Sequence, residues 1–272
     1  MEILLRKDFY NHVYYWLLSV LFLVGFIVVV GGLTRLTDSG LSITRWDVVS
    51  GILPPFTSED WDIAFNLYKE IPQFYLVNSD ITLSEFKIIY YWEYFHRILG
   101  RILGLLFLFP LFYFYYKRVF TNEYNYKLFI LFILILIQGA VGWYMVQSGL
   151  VDNVTVSHYR LATHLNLALI LFTATFWYLL NLKNLENKKF FNFSNKNNYV
   201  KIFIVLVFFQ ITFGAFTSGL DAGMIYQTWP LMNETYFPDD FVSTNNLIGL
   251  LNQESFVQFI HRNLAYVITF YT

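Results

Sequence analysis

The chain has 272 residues, of which 57% are hydrophobic, 21% aromatic and only 14% charged. A soluble domain carries about a quarter charged residues, so the composition defines an integral membrane protein. The formal net charge of -1 says nothing about nucleic acid, no basic tail or arm is present, and no nucleic-acid partner is expected. The absence of cysteine excludes disulfides, thiolate metal sites, iron–sulfur clusters and cysteine nucleophiles. Five histidines, helped by carboxylates, remain as ligands for a transition metal.

A bilayer-spanning helix needs roughly 20 apolar residues. The N-terminus carries Arg6 and Lys7 beside Glu2 and Asp8, and no A-x-A-like cleavage site follows, so the first apolar run, about Val13 to Leu33, reads as a retained membrane helix. A polar stretch from Thr34 to Tyr94 is too long for a tight turn and is expected to fold as an outer cap with short helices. Further spanning helices are expected over about Trp92 to Tyr116, Tyr126 to Val146, Tyr159 to Leu182 and Tyr199 to Leu220. A Lys/Asn-rich linker, Lys183 to Asn198, precedes the last of these. A second polar segment, Asp221 to Gln253, leads to a sixth apolar run near Phe256. The expected fold is therefore an all-α membrane protein with about six transmembrane helices. Its N-terminal half covers residues 1–190 with an outer loop at 34–94, and its C-terminal half covers 191–272.

Ten Lys and Arg lie on the N-terminus, second loop and fourth loop, against four in the long first loop and none in the third and fifth loops before the helix mouths. The positive-inside rule then places the N-terminus in the cytoplasm or matrix and both long polar segments outside.

The first helix and its loop recur. Gly31, Thr34, Asp38, Gly40, Trp46 and Pro55 align with Gly214, Thr217, Asp221, Gly223, Trp229 and Pro238 at a constant offset of 183. Glu93-Tyr-Phe-His96-Arg97 aligns with Gln258-Phe-Ile-His261-Arg262 at an offset of 165. Both copies start on the same side of the membrane, which makes this a parallel repeat about an axis along the membrane normal. Four helices per half predict eight in a complete molecule, so the chain is expected to be a fragment or truncated copy.

The segment from Glu93 to Arg101 sets ionisable groups at a helix mouth, where they are costly and point to function. The alternative is an interfacial anchor cluster, its side chains snorkelling to the headgroups. Glu93 and His96 share one helix face, and Arg97 and Arg101 the next. His96 and His164 are expected at similar depth on inward-running helices, where two facing imidazoles can grip a haem. Arg97 and Arg160 would then pair with outward-facing propionates. His158 is expected in the outer link as a weaker candidate, and His12 at the cytoplasmic surface as a bystander. Glu93 stands where the second copy has Gln258. A carboxylate can accept a proton or stabilise a developing cation and an amide cannot be a general base, so chemistry is expected in the first half and a resident cofactor in the second. Alternatively, Glu93 forms an ion pair with Arg97.

Glu-x-x-His-Arg at 93–97, Arg-x-x-x-His-Leu at 160–165, Gly-Gly-Leu-Thr-Arg-Leu-Thr-x-Ser-Gly-Leu-Ser at 31–42 and Gln-Phe-x-His-Arg at 258–262 resemble the haem A synthase family, in its cysteine-free alphaproteobacterial and mitochondrial branch. The resemblance implies two pseudo-symmetric four-helix bundles in an inner membrane, bacterial or mitochondrial. It implies oxidation of the C8 methyl group of haem O, by successive hydroxylations and dehydration, to the formyl group of haem A for cytochrome oxidase. It further implies His96 and His164 as axial ligands of the substrate haem, Glu93 as the catalytic acidic residue, and His261 as the first ligand of a resident haem b. The second haem b ligand would lie on an eighth helix beyond this sequence. Arg97, Arg160 and Arg262 would serve the haem carboxylates, and haem O synthase and oxidase assembly factors are implied as partners. A membrane di-haem b-type electron carrier is the alternative, and a transporter with structural histidines a third reading.

Overall fold

The computed structural model describes residues 5–45, 50–150, 154–184 and 198–272. Among the described residues every regular element is helical, apart from two isolated backbone bridges. The order is α1 (Tyr10–Leu36), α2 (Ser58–Tyr68), α3 (Pro72–Leu76), α4 (Leu83–Tyr116), α5 (Asn122–Gln147), α6 (His158–Lys183), α7 (Asn198–Gly219), α8 (Leu247–Leu251) and α9 (Glu254–Tyr271). Five of these, α1, α4, α5, α6 and α7, are long and apolar enough to cross a membrane, and the protein is an all-α, multi-pass membrane protein. The sixth expected run is α9, 18 residues long and interrupted by His261, Arg262 and Asn263.

The first polar segment is shorter than expected because helices enter it from both sides. α1 runs on to Leu36, and α4 starts at Leu83, nine residues before the expected Trp92. The cause is local. The Thr82 hydroxyl accepts the Glu85 amide hydrogen while the Glu85 carboxylate accepts from the Thr82 backbone, a capping box that satisfies two otherwise orphaned donors. With 34 residues α4 is ~50 Å long, well beyond a ~30 Å hydrocarbon core, so part of it stands outside. The Glu93 to Arg101 segment therefore begins in the third turn of a helix and does not open one.

Between α1 and α4 the expected cap is present. Thr57 and Asp60 form a second capping box on α2, and α3 starts with Pro72, whose missing N–H costs nothing in a first turn. Trp61, Phe65 and Phe86 pack edge to face or tilted, and Tyr68 lies wholly buried beside them.

The chain forms two compact units, Met1–Thr155 with Leu167–Phe191, and Val156–Asn166 with Asn192–Thr272. In the first, Val13, Leu17 and Val20 of α1 pack with Phe107 and Leu111 of α4 and Leu128 of α5. Trp16 buries its indole here and donates its N–H to the Leu106 carbonyl at 2.9 Å, which removes an orphan donor from an apolar setting. In the second unit the buried cluster is small: Ala162, Ala215, Phe216 and Val257. Small residues at such contacts let helix backbones approach, which matters where lipid supplies no hydrophobic drive for helix association.

Candidate functional site

The sequence repeat reappears as a repeat of contacts, on α1 and α4 in the first unit and on α7 and α9 in the second. Thr34 donates its hydroxyl to the Val30 carbonyl at 2.9 Å, and Thr217 to Phe213 at 2.8 Å. After each helix, Asp38 and Asp221 take the left-handed conformation, with φ of 50° and 53°. Asp tolerates this region better than most side chains, and it ends the helix and turns the chain into the outer segment. Trp46, the partner of Trp229 in the alignment, lies outside the described residues.

Each helical Glx then fastens the polar segment that follows the turn. In the first unit Glu93 is buried and receives four donors. Ser42 Oγ lies 2.7 Å and the Ile43 amide 2.8 Å from Oε2, while Arg97 gives Nε at 3.0 Å and Nη2 at 2.5 Å to Oε1. Arg97 Nη2 also donates to the Ile43 carbonyl at 3.0 Å. The ion pair between Glu93 and Arg97, left open as an alternative by the sequence, is thus present and almost fully buried. In the second unit Gln258 accepts from the Tyr226 amide at 3.3 Å and donates to the Tyr226 carbonyl at 3.0 Å, and Arg262 donates to the same carbonyl. Ile43 and Tyr226 are themselves 183 apart (226 − 43). One backbone position in each copy is therefore held at both its N–H and its C=O by the Glx and Arg of the facing helix.

The histidines sit one turn along from these fasteners, each against a glycine. A methyl group built on Gly31 would stand 3.0 Å from His96 Cε1 and 3.5 Å from its Nδ1. On Gly214 it would stand 3.0 Å from His261 Cε1 and 3.6 Å from its Nδ1. Both Nδ1 atoms are buried; that of His96 has no hydrogen-bond partner, whereas the His261 ring lies within reach of the Gln210 backbone.

The other expected site residues are placed as follows. His164 and Arg160 are half-buried on the stretch of α6 that belongs to the second unit, whereas His96 belongs to the first. Arg97 and Arg101 line a common cleft of about 360 Å³ against the polar segment between α1 and α4, with Ser42, Arg45 and Tyr90. His158 is not in a link. It is the first residue of α6, buried, with its Cα and Cβ against Gly219 and its ring against Phe216. His12 is exposed near the start of α1. Among the described residues no three His, Asp or Glu side chains converge on one point. An iron carried in a porphyrin needs no such convergence, since the macrocycle supplies four ligands and the protein only the axial ones. Sequence reasoning missed Ile43, Tyr226, Gly31 and Gly214 as parts of the site. The constant offset between the copies was the signal that could have found the glycines.

These features define a polytopic helical membrane protein with two copies of one helix pair, each presenting a glycine-seated histidine beside a Glx–Arg fastener. The chain matches the model of the cytochrome oxidase assembly protein family COX15-CtaA over residues 14–272, and it belongs to that family. It is 46% identical over 262 residues to a protein named heme A synthase from Pelagibacter ubique, covering 94% of this chain and 76% of that one. A heme A synthase from Parvibaculum lavamentivorans is 45% identical over 267 residues, covering 97% and 77%. One from Flavobacterium psychrophilum is 42% identical over 258 residues, covering 93% and 76%. No solved structure matches.

Proposed function

We propose that this protein is a haem A synthase, oxidising the C8 methyl group of haem O to the formyl group of haem A for cytochrome oxidase. The observation that carries the reading is the pair of imidazoles, His96 and His261, each seated on a glycine of the facing helix with its Nδ1 buried. The names of the relatives support it.

In this reading His96 and His164 are the axial ligands of the substrate haem O. Its carboxylates would meet Arg160, whose planar guanidinium matches a carboxylate bidentately, and the remaining edge of Arg97, whose Nε and Nη2 are already on Glu93. The cleft that Arg97 shares with Arg101 lies on the outer segment, which favours propionates facing outward. Glu93, one turn before His96, stands beside the reacting methyl group to take a proton or offset developing positive charge. His261, with Arg262 beside it, is the first ligand of a resident haem b, which would supply one-electron transfer. Gln258, at the place of Glu93, carries no charge and leaves the second copy as a cofactor site. The N-terminus faces the cytoplasm or matrix side of an inner membrane, in keeping with ten inner against four outer basic residues. Haem O synthase and oxidase assembly factors are the neighbours this reaction implies.

A di-haem electron carrier would use the same two seated imidazoles, and the pigments separate the readings. Membranes containing the chain, supplied with haem O, are extracted and their haems resolved by chromatography. Haem A formed from haem O is expected. Haem b alone indicates the carrier, and a chain that holds no haem overturns both.

A further inference from the structure

Gly31 and Gly214 have no part in the chemistry proposed above, yet each lies directly against a histidine ring of the facing helix. The distances from the built methyl position agree between copies to within 0.1 Å: 3.0, 3.5 and 3.8 Å to Cε1, Nδ1 and Nε2 of His96, and 3.0, 3.6 and 3.7 Å for His261. Ordinary van der Waals contact begins near 3.4 Å, so a methyl group at either glycine requires the ring to give by a few tenths of an ångström. Gly32, next in the same helix, has nothing within 4 Å of its methyl position, and its counterpart in the second copy is Ala215. Both copies therefore have glycine at the position that faces the ring, whereas at its neighbour one has glycine and the other alanine.

Such a shift changes the tilt of the ring. A histidine has two side-chain torsions, both in staggered or broadly two-fold wells, and its helix is tied to the outer segment by the Glx–Arg fastener one turn away. Gly31 shares α1 with the back-bonded Thr34, and Gly214 shares α7 with Thr217. We infer that Gly31 and Gly214 are positioning residues that set the tilt and depth of the axial imidazoles of His96 and His261, and so tune haem binding from the helix opposite the ligand. This rests on the haem A synthase reading. It adds that the first helix of each copy, which brings no ligand, fixes the geometry of the ligand on the second.

The test uses the full chain, purified in detergent, as wild type, Gly31→Ala, Gly214→Ala and Gly32→Ala. Each is titrated with haem O and with haem b while the Soret and low-spin visible bands are recorded, and circular dichroism reports helix content. Gly31→Ala is expected to weaken haem O on the order of 10-fold and shift its low-spin bands, the size of effect seen when residues that orient a metal ligand are changed. Gly214→Ala is expected to do the same to haem b, and Gly32→Ala to alter neither. Altered bands at full helix content separate a misplaced ligand from a misfolded chain. If Gly31→Ala and Gly214→Ala match wild type while haem A still forms, the inference fails and the functional reading stands. If both glycine variants lose helix content and Gly32→Ala does not, the glycines are packing residues and the inference fails. A wild-type chain that binds neither haem overturns both readings.

Discussion

Glu93 holds a carboxylate whose two oxygens each take two donors, from Ser42, Ile43 and Arg97. The side chain fastens the outer segment and is also the residue proposed to act on the methyl group. Two substitutions pull these roles apart. Glu93→Gln keeps an oxygen for the Ile43 amide, as Gln258 does for Tyr226 in the second unit, while it removes the charge and turns the oxygen facing Arg97 into a donor. Haem O should stay bound while formyl formation stops; an undiminished haem A yield would remove Glu93 from the chemistry. Glu93→Leu leaves the Arg97 guanidinium buried without its carboxylate. Losing one partner of a buried pair costs about 3–5 kcal/mol, so this variant should unfold at a clearly lower temperature than Glu93→Gln in a thermal melt followed by circular dichroism.

At the scale of single elements, the ends of helices carry as much as their apolar faces. Asp221 closes α7 from the left-handed region, as Asp38 closes α1. Alanine there pays the steric cost of a positive φ, roughly 1–2 kcal/mol, whereas glycine does not. Asp221→Ala should thus lower the melting temperature more than Asp221→Gly, and equal melting temperatures would contradict the assignment. In the outer segment of the second unit the Tyr226 hydroxyl lies 2.7 Å from Asp239 and 2.8 Å from Asp240. Burial, reinforced by these two carboxylates, pushes its phenol above the ordinary tyrosine value. A raised value in the folded state means the contribution to stability is full below about pH 10 and is lost as pH rises past it. The wild-type protein should therefore lose stability in strong alkali more steeply than Tyr226→Phe, measured as melting temperature against pH.

The apolar helices were legible as runs of about 20 residues, because the bilayer imposes that length on any chain that crosses it. Their true ends were less so. The start of α4 at Leu83 is written in Thr82 and Glu85, but the polar residues between 83 and 92 hid it from a reading by hydropathy. His158 was misplaced in a link for a similar reason: a helix can begin outside the apolar run it carries. The candidate site was half legible. His96, His261 and their Glx and Arg neighbours stand out as costly residues in apolar surroundings. Their partners are backbone groups of Ile43 and Tyr226 and bare Cα positions of Gly31 and Gly214, which have no side-chain signature of their own.

For the whole molecule, the copies share a framework and differ in one charge. Glu93 accepts only, and the donors around it are Ser42, Ile43 and Arg97. Gln258 must donate as well, to the carbonyls of Tyr226 at 3.0 Å and Gly223 at 3.4 Å. Ile225 stands where the first copy has Ser42 (225 − 42 = 183), so a carboxylate in the second copy would lack that hydroxyl donor. Gln258→Glu would set a carboxylate oxygen against two carbonyl oxygens and draw Arg262 away from Tyr226, Thr228 and Leu231. Leaving the buried Tyr226 carbonyl unmet costs about 1–3 kcal/mol, while Thr228 and Leu231 are exposed and can turn to water. The damage should be confined to the second unit, because the fastener of the first is formed entirely from its own residues. Hydrogen exchange read by mass spectrometry should show faster exchange over residues 222–232 in Gln258→Glu, with residues 39–45 unchanged. If exchange over 222–232 stays at the wild-type rate, the second fastener tolerates a charge and Glu93 is not singled out by its surroundings.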